Sequence, residues 1–202
     1  MYAIKETTIG KAWISLVKLV QDEGVQLADE GMEITDVMVQ FEHDTSQTDL
    51  ILEEFADQQM IENMGFVFFG RGADRLGHSY KDLMTGPLGE NDFSDIIALL
   101  KEKSVCKRAT MTFKPRGTGK VPCLNVVNFI VRNDQVQVSY FARGQDAYKK
   151  FFADAVAVAE MQRLVANELS ISVGTITGFI ASAHNYFEDA PQYEALLEVN
   201  KL

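Results

Sequence analysis

Residues 122–146 read PCLNVVNFIVRNDQVQVSYFARGQD. Two runs rich in β-branched and aromatic residues, 124–131 and 135–141, stand on either side of the polar triplet Arg132-Asn133-Asp134. A short polar turn between two such runs is typical of a β-hairpin. This stretch therefore predicts two neighbouring antiparallel strands, with polar or reactive side chains at their open ends.

Helical and strand patterns lie on both sides of this hairpin. Apolar residues recur at helical spacing in four segments, 8–23, 49–63, 91–103 and 147–169. Strand patterns occupy 33–42, 109–113 and 172–183, and the segment 65–77 is interpreted as a strand followed by a loop. Trp13, on the apolar face of the first helical segment, is expected in the core. Without a repeat or a linker, these elements predict one α+β domain over residues 1–202.

Composition limits the possible functions. The chain has 202 residues, 47% of them hydrophobic, and a formal net charge of -10, which argues against a nucleic-acid-binding surface. No apolar run reaches the roughly 18 residues that span a bilayer. The two cysteines, Cys106 and Cys123, make a poor disulfide framework, and the first residues do not resemble a signal peptide. We therefore expect a soluble cytoplasmic protein without membrane or nucleic-acid partners.

Reactive residue types gather at the ends of the predicted strands. They lie in three motifs, PC at 122–123, ARGQD at 142–146 and SAHNY at 182–186. Element ends are where functional side chains usually project. Each residue alone has an ordinary structural interpretation, since a lone cysteine is more often a small buried hydrophobe than a nucleophile. The ordered set is what suggests a site.

The order and spacing of these motifs resemble the thymidylate synthase superfamily, whose motifs are P-C-H, Q-R-S-x-D and D-x-H-x-Y. The segment LGHSY at 76–80 is similar to the family's L-G-x-x-Y, and Lys107-Arg108 stand where the family places a pair of phosphate-binding arginines. The stretch FVFFGRGADRL is more similar to the compact archaeal-type thymidylate synthases and nucleotide hydroxymethylases. The likeness covers residues 65–193 and implies a thymidylate synthase-like fold with a mixed sheet and packed helices.

The resemblance also implies a reaction. Cys123 would add to C6 of a pyrimidine nucleoside monophosphate, which makes C5 nucleophilic toward the one-carbon unit of 5,10-methylenetetrahydrofolate. A thiol is mostly protonated at neutral pH, so a nearby cation is needed, and Arg143 is the candidate. By the same resemblance Arg143 binds the phosphate, assisted by Lys107 and Arg108 from the other subunit of a homodimer.

The remaining roles follow from the same likeness, and no metal is implied. Asp146 would orient the folate ring, and the backbone of Gly144 would keep a donor toward the substrate. The substrate would also be bound by His184 and Tyr186 through a sugar hydroxyl, and by Tyr80. The family's catalytic glutamate has three candidates, Glu53, Glu54 and Glu62, and we expect Glu53 to take this role.

One departure from the family is informative about the base. The family's uracil-reading asparagine, eight residues after the aspartate, falls on Asp154. A carboxyl group can accept from N4 of cytosine and, when protonated, donate to N3. Within the superfamily an aspartate here marks cytidylate and deoxycytidylate hydroxymethylases. The alternative is that a small gap shifts the alignment and Asp154 is a surface acid.

Other departures affect the folate and the nucleophile. Leu124, Ala142, Gly144 and Lys150 replace the family's usual histidine, glutamine, serine and glycine. Three functions therefore stay open. They are a 5-hydroxymethyltransferase on dCMP or CMP, a methyltransferase on dUMP or dCMP, and a nucleotide-binding homologue that has lost catalysis. Ribose and deoxyribose are not distinguished.

Overall fold

The computed structural model describes residues 1–42, 48–70, 79–85, 94–114 and 121–200. Its helices are α1 (Ile9–Glu23), α2 (Leu50–Phe55), α3 (Gln58–Phe69), α4 (Tyr80–Leu83), α5 (Ser94–Glu102), α6 (Phe151–Leu169) and α7 (Ala190–Val199). Its strands are β1 (Tyr2–Lys5), β2 (Val25–Leu27), β3 (Gly31–Phe41), β4 (Met84–Thr85), β5 (Thr110–Phe113), β6 (Leu124–Arg132), β7 (Gln135–Ala142), β8 (Gln145–Asp146) and β9 (Ser172–Tyr186). No helix within these ranges is long and apolar enough to cross a membrane.

The strands form one mixed sheet in the order β1-β3-β9-β7-β6-β5-β4. The pairs β1–β3, β7–β9 and β8–β9 are parallel, and the other pairs are antiparallel. A parallel pair needs a long crossover, and α6 supplies it between β7 and β9. The sheet and its helices confirm the predicted α+β class.

The predicted hairpin is confirmed as β6 and β7. Arg132 pairs with Gln135, so Asn133 and Asp134 form a two-residue loop. Their φ angles are 52° and 55°, in the left-handed region that a type I′ hairpin turn requires. The turn brings the start of β6 next to the end of β7, where the reactive motifs lie.

Helices α1 and α6 pack on the sheet and against each other. Trp13 is 1% exposed, as expected, and its indole N–H donates to the backbone oxygen of Tyr148 at 2.9 Å. Thr8 begins α1 by accepting a hydrogen bond from the Lys11 amide at 3.2 Å. The hydrogen bond from Trp13 to Tyr148 fixes α1 against the segment that leads into α6, close to the end of β9.

Two predictions of secondary structure were wrong. The predicted strand within 65–77 is helix as far as Phe69, because Met64, Val67 and Phe68 recur at helical spacing and are buried. Residues 71–77 lie outside the described residues. The helical segment 49–63 is two helices, since Asp57 caps α3 by accepting from the Met60 amide at 3.1 Å.

The opposite face of the sheet carries an apolar row across its central strands. Phe179 on β9 pairs with Met38 on β3 and with Phe141 on β7. Met38 and Phe141 are each 37% exposed, and the Phe141 and Phe179 rings stack with centroids 5.8 Å apart. Within the described chain this row has no helix over it, since α1 and α6 lie on the other face.

Gln162 joins α6 to both strands of the parallel pair, and its substitution is expected to destabilise the fold. Its side chain is 0% exposed, and Nε2 donates to the oxygens of Val136 at 2.6 Å and Gly174 at 3.0 Å. Gln162→Met should therefore lower the free energy of unfolding by about 2 kcal/mol, because two buried carbonyls lose their donor. Urea denaturation measures this loss, with the exposed Gln59→Met as control. Equal midpoints for the two variants would contradict the assignment.

Candidate active site

The hairpin places Cys123 beside Arg143. Cys123 directly precedes β6, and Arg143 directly follows β7. The Arg143 amide donates to the Cys123 carbonyl oxygen at 2.9 Å, which extends the β6–β7 ladder by one pair. The two residues predicted as nucleophile and cation are thus neighbours across the open end of the hairpin.

The guanidinium of Arg143 folds back over the segment that leads into Cys123. Nε lies 3.1 Å from the oxygens of both Val121 and Pro122, and a terminal nitrogen donates to Val121 at 2.8 Å. Its charge therefore lies over the backbone of the nucleophile while the residue stays exposed to solvent. Arginine has five N–H donors, so these contacts are compatible with an added anionic ligand.

Tyr80 supports the strand that follows Cys123. Its hydroxyl accepts a hydrogen bond from the Leu124 amide at 3.1 Å, and it is 3% exposed. Its ring stacks on Phe68 with centroids 4.2 Å apart, and the Phe113 ring stands at 82° to it with centroids 5.1 Å apart. The structure thus places this predicted substrate-binding residue beneath the backbone at the nucleophile.

Asp146 and His184 are partners in the parallel pair β8–β9. Burial lowers the pKa of His184, and the nearby carboxylates of Asp146, Glu33 and Glu30 oppose this shift. Burial also raises the pKa of Asp146, opposed by the Lys149 amide that donates to Oδ1 at 2.8 Å. The imidazole is therefore neutral at neutral pH and can both donate and accept.

His184 and Tyr186 share a cavity with Arg143 and Gly144. The rings of His184 and Tyr186 meet edge to face with centroids 4.9 Å apart. The cavity has a volume of about 190 Å³. A Cβ at Gly144 would meet nothing within 4 Å, so glycine there leaves room for a ligand. Four of the predicted site residues are thus brought to one place.

The same cavity includes two acids that were not predicted, Glu30 and Glu33. Glu33 on β3 lies opposite His184 on β9, and its Oε1 accepts from the Ser182 hydroxyl at 2.5 Å. Only the register of two strands distant in sequence brings these residues together. A larger cavity, about 490 Å³, lies at the far end of β9 near 172–175 and contains none of the motif residues.

Asp154 lies in the first turn of α6 and is held by Gln145. Gln145 is 3% exposed, and its Nε2 donates to Asp154 Oδ2 at 2.9 Å. Burial and, secondarily, the charge of the nearby Asp154 carboxylate raise the pKa of the Tyr140 hydroxyl. Asp154 is therefore part of a polar cluster under β8. Gln145 had no sequence signal beyond its place in ARGQD.

Other predicted residues are not among those that line this cavity. Lys107 and Arg108 are exposed just before β5, where the Ala109 oxygen accepts from Phe129 at 2.8 Å. Phe129 is five residues along β6 from Leu124, roughly 17 Å at about 3.3 Å per residue. Glu53, like Glu54 and Glu62, is an exposed helix residue. Residues 71–78, which include the end of FVFFGRGADRL and the start of LGHSY, fall outside the described residues.

No protein-family model matches the chain. A Methanothermobacter thermautotrophicus protein named "Putative thymidylate synthase" is 24% identical over an alignment covering 98% of this chain and 99% of that protein. The same name is carried by a Methanothermobacter marburgensis protein (25% identical, 92% of this chain and 93% of that protein) and by a Methanococcoides burtonii protein (26% identical, 96% and 94%). Over nearly its whole length the chain is therefore similar to archaeal-type thymidylate synthases, which confirms the superfamily resemblance that its motifs indicate.

Proposed function

We propose that this chain is a folate-dependent 5-hydroxymethyltransferase that acts on a cytidine monophosphate. The observation that carries the proposal is the Asp154 carboxyl, which Gln145 orients at the start of α6. The family's uracil-reading asparagine falls on this position, and a carboxyl group matches the donor and acceptor pattern of cytosine.

Gln145 supports a particular way of reading the base. Since Gln145 Nε2 donates to Oδ2, that oxygen serves as an acceptor, and a proton on the carboxyl is favoured on Oδ1. The carboxyl then offers one acceptor for N4 of cytosine and one donor for N3. Uracil presents O4 and N3–H in the same places, which reverses both requirements.

Cys123 is proposed as the nucleophile. Its thiolate adds to C6, the electron pair moves to C5, and the thiolate leaves C6 at the end of the reaction. Arg143 supports this role, because its guanidinium lies against the carbonyls of Val121 and Pro122. The positive charge favours the thiolate over the thiol.

Asp146 suits a folate ring. Its carboxylate is oriented by the Lys149 amide and stands beside His184 at the strand ends, where it can accept from the N–H groups of a pterin. When bound, methylenetetrahydrofolate supplies a one-carbon unit at the oxidation level of formaldehyde, and water supplies the hydroxyl oxygen. The nucleotide gains CH2O overall, and the co-substrate leaves as tetrahydrofolate.

A homodimer with shared sites is part of the proposal. Lys107 and Arg108 are exposed and lie roughly 17 Å along the sheet from the start of β6, too far to serve the site of their own chain. The apolar row Met38–Phe179–Phe141 offers a face for a second copy. In the proposed dimer, the partner's basic pair binds the phosphate beside Arg143.

The names of the archaeal relatives favour a second candidate, methylation of a uracil nucleotide. In that reaction the folate also supplies hydride and leaves as dihydrofolate. The two candidates share Cys123, Arg143 and Asp146, and they differ in the base and in the access of water to the one-carbon unit.

The purified chain should convert CMP or dCMP, in the presence of methylenetetrahydrofolate, to a product 30 mass units heavier, which mass spectrometry detects. No rise in absorbance from dihydrofolate should accompany the reaction. Turnover of a uracil nucleotide alone, with a gain of 14 mass units and formation of dihydrofolate, would replace the proposal by the second candidate.

A further inference from the structure

Glu33 faces the same cavity as the pair His184 and Tyr186. In the antiparallel register of β3 and β9, Glu33 lies directly opposite His184. Directly opposed side chains on one face of a sheet have Cβ atoms about 5 Å apart. Both residues line the cavity of about 190 Å³ together with Tyr186. A ligand that contacts His184 through one hydroxyl can therefore place a neighbouring hydroxyl at the Glu33 carboxylate.

Ser182 holds this carboxylate in place. Its hydroxyl donates to Glu33 Oε1 at 2.5 Å, the length of a strong bond from a hydroxyl to a charged oxygen. Both residues are partly buried, and both lie on strands of the sheet rather than on loops. Glu33 is thus a fixed acceptor at the cavity wall.

The charges around the cavity separate two parts of a nucleotide. Glu33 lies on β3 and Glu30 just before it, whereas Arg143 follows β7, on the other side of β9 in the strand order. A phosphate is repelled by the two carboxylates and attracted by the guanidinium. A sugar hydroxyl, as a neutral donor, is suited to a carboxylate that accepts. Of these two parts of the nucleotide, the sugar is the one suited to Glu33.

We propose that Glu33 accepts a hydrogen bond from the 2′-hydroxyl of a ribonucleotide, with Ser182 as its positioning residue. The substrate is then CMP in preference to dCMP. His184 and Tyr186 address the neighbouring hydroxyl, and together with Glu33 they bind the vicinal diol of ribose. A deoxynucleotide leaves the carboxylate buried against a hydrogen-bearing carbon, which costs binding. This inference rests on the proposed function, but only for the identity of the base as cytosine.

The test compares CMP with dCMP in two assays. Wild-type protein should bind CMP roughly 10- to 100-fold more tightly than dCMP in calorimetry without folate, as expected for loss of a hydrogen bond to a charged group. The ratio of kcat/KM values should show the same preference. Glu33→Ala should reduce both ratios to within about threefold of unity, mainly by raising KM for CMP. Ser182→Ala should reduce them partway, and Glu33→Gln, which keeps one acceptor, should also be intermediate.

The control is Glu194→Ala, which removes an exposed acid from α7 and should leave both ratios unchanged. A wild-type preference for dCMP, an unaltered ratio in Glu33→Ala, or no binding of any nucleotide would overturn the inference. A ribose preference in calorimetry without turnover would count against the proposed function and support the role of Glu33. A preference for UMP over CMP, with both bound more tightly than their deoxy forms, would likewise count against the proposed function and support the role of Glu33.

Discussion

Cys123→Ser is expected to lower turnover on the order of 10⁴-fold or more, the scale of losing a covalent nucleophile. A serine hydroxyl is a far weaker nucleophile than a thiolate, and Arg143, which donates to carbonyl oxygens at this point, cannot act as a base toward it. Nucleotide binding should stay within about threefold of wild type, because the substitution changes one atom. Product formation followed by mass spectrometry measures the first effect, and calorimetry measures the second.

Cys106→Ser is the matched control. Cys106 is 6% exposed, and its sulfur accepts from the Arg108 amide at 3.3 Å, in the turn before β5. A serine can accept the same bond, so turnover should stay within a few fold of wild type. In the presence of methylenetetrahydrofolate, a 5-fluoropyrimidine nucleotide has no C5 proton to lose once C5 has bonded to the one-carbon unit. It should therefore form a lasting covalent adduct with wild type and Cys106→Ser only. An adduct on Cys123→Ser, or equal loss of activity in both variants, would remove Cys123 from the mechanism.

Local patterns predicted the elements whose burial depends on their own sequence. The β6–β7 hairpin was evident from two β-rich runs around Asn133 and Asp134, both of which accept a positive φ. Helix α1 was evident from one continuous apolar face that runs from Ile9 through Trp13 to Val20. The run around Phe66–Phe69 was misjudged because a short apolar run fits a buried strand or a helix equally well, and tertiary packing decides between them.

In the site, too, local motifs could be recognised from the sequence, whereas contacts between distant segments could not. The placement of Cys123, Arg143, Asp146 and His184 at or near strand ends could be predicted, because each lies within a short motif beside a strand pattern. Glu33 could not, because its meeting with His184 depends on the register between β3 and β9, far apart in the sequence. Tyr80 was placed in the right region, yet its contact with the Leu124 amide is visible only in three dimensions.

Asp154→Asn is expected to lower the preference for cytosine over uracil about 100-fold. In the proposed arrangement, Oδ2 accepts from Gln145 and a protonated Oδ1 donates to N3 of cytosine, so no amide donor is available for O4 of uracil. An asparagine amide can take two orientations. If the asparagine oxygen faces Gln145 Nε2, the amide keeps the donor and acceptor pattern that suits cytosine. If the asparagine nitrogen faces Gln145 and the Gln145 amide turns to accept from it, the amide offers the pattern that suits uracil. The variant should therefore gain uracil turnover and keep part of its cytosine turnover. The ratio of kcat/KM values for CMP and UMP, together with their deoxy forms, measures the change.

Gln145→Leu separates the orientation of Asp154 from its chemistry. Removing the amide at 2.9 Å leaves Asp154 without the donor that distinguishes its two oxygens. We expect cytosine kcat/KM to fall about tenfold, the upper end for loss of a hydrogen bond between neutral groups, with no gain on uracil. Glu168→Gln, an exposed position on the same helix, should change neither. Specificity for the base is thus assigned to a pair of residues: Asp154 supplies the carboxyl group, and Gln145 determines which oxygen accepts. Uracil turnover in Gln145→Leu equal to that in Asp154→Asn, or an unchanged base preference in Asp154→Asn, would show that the base is read elsewhere.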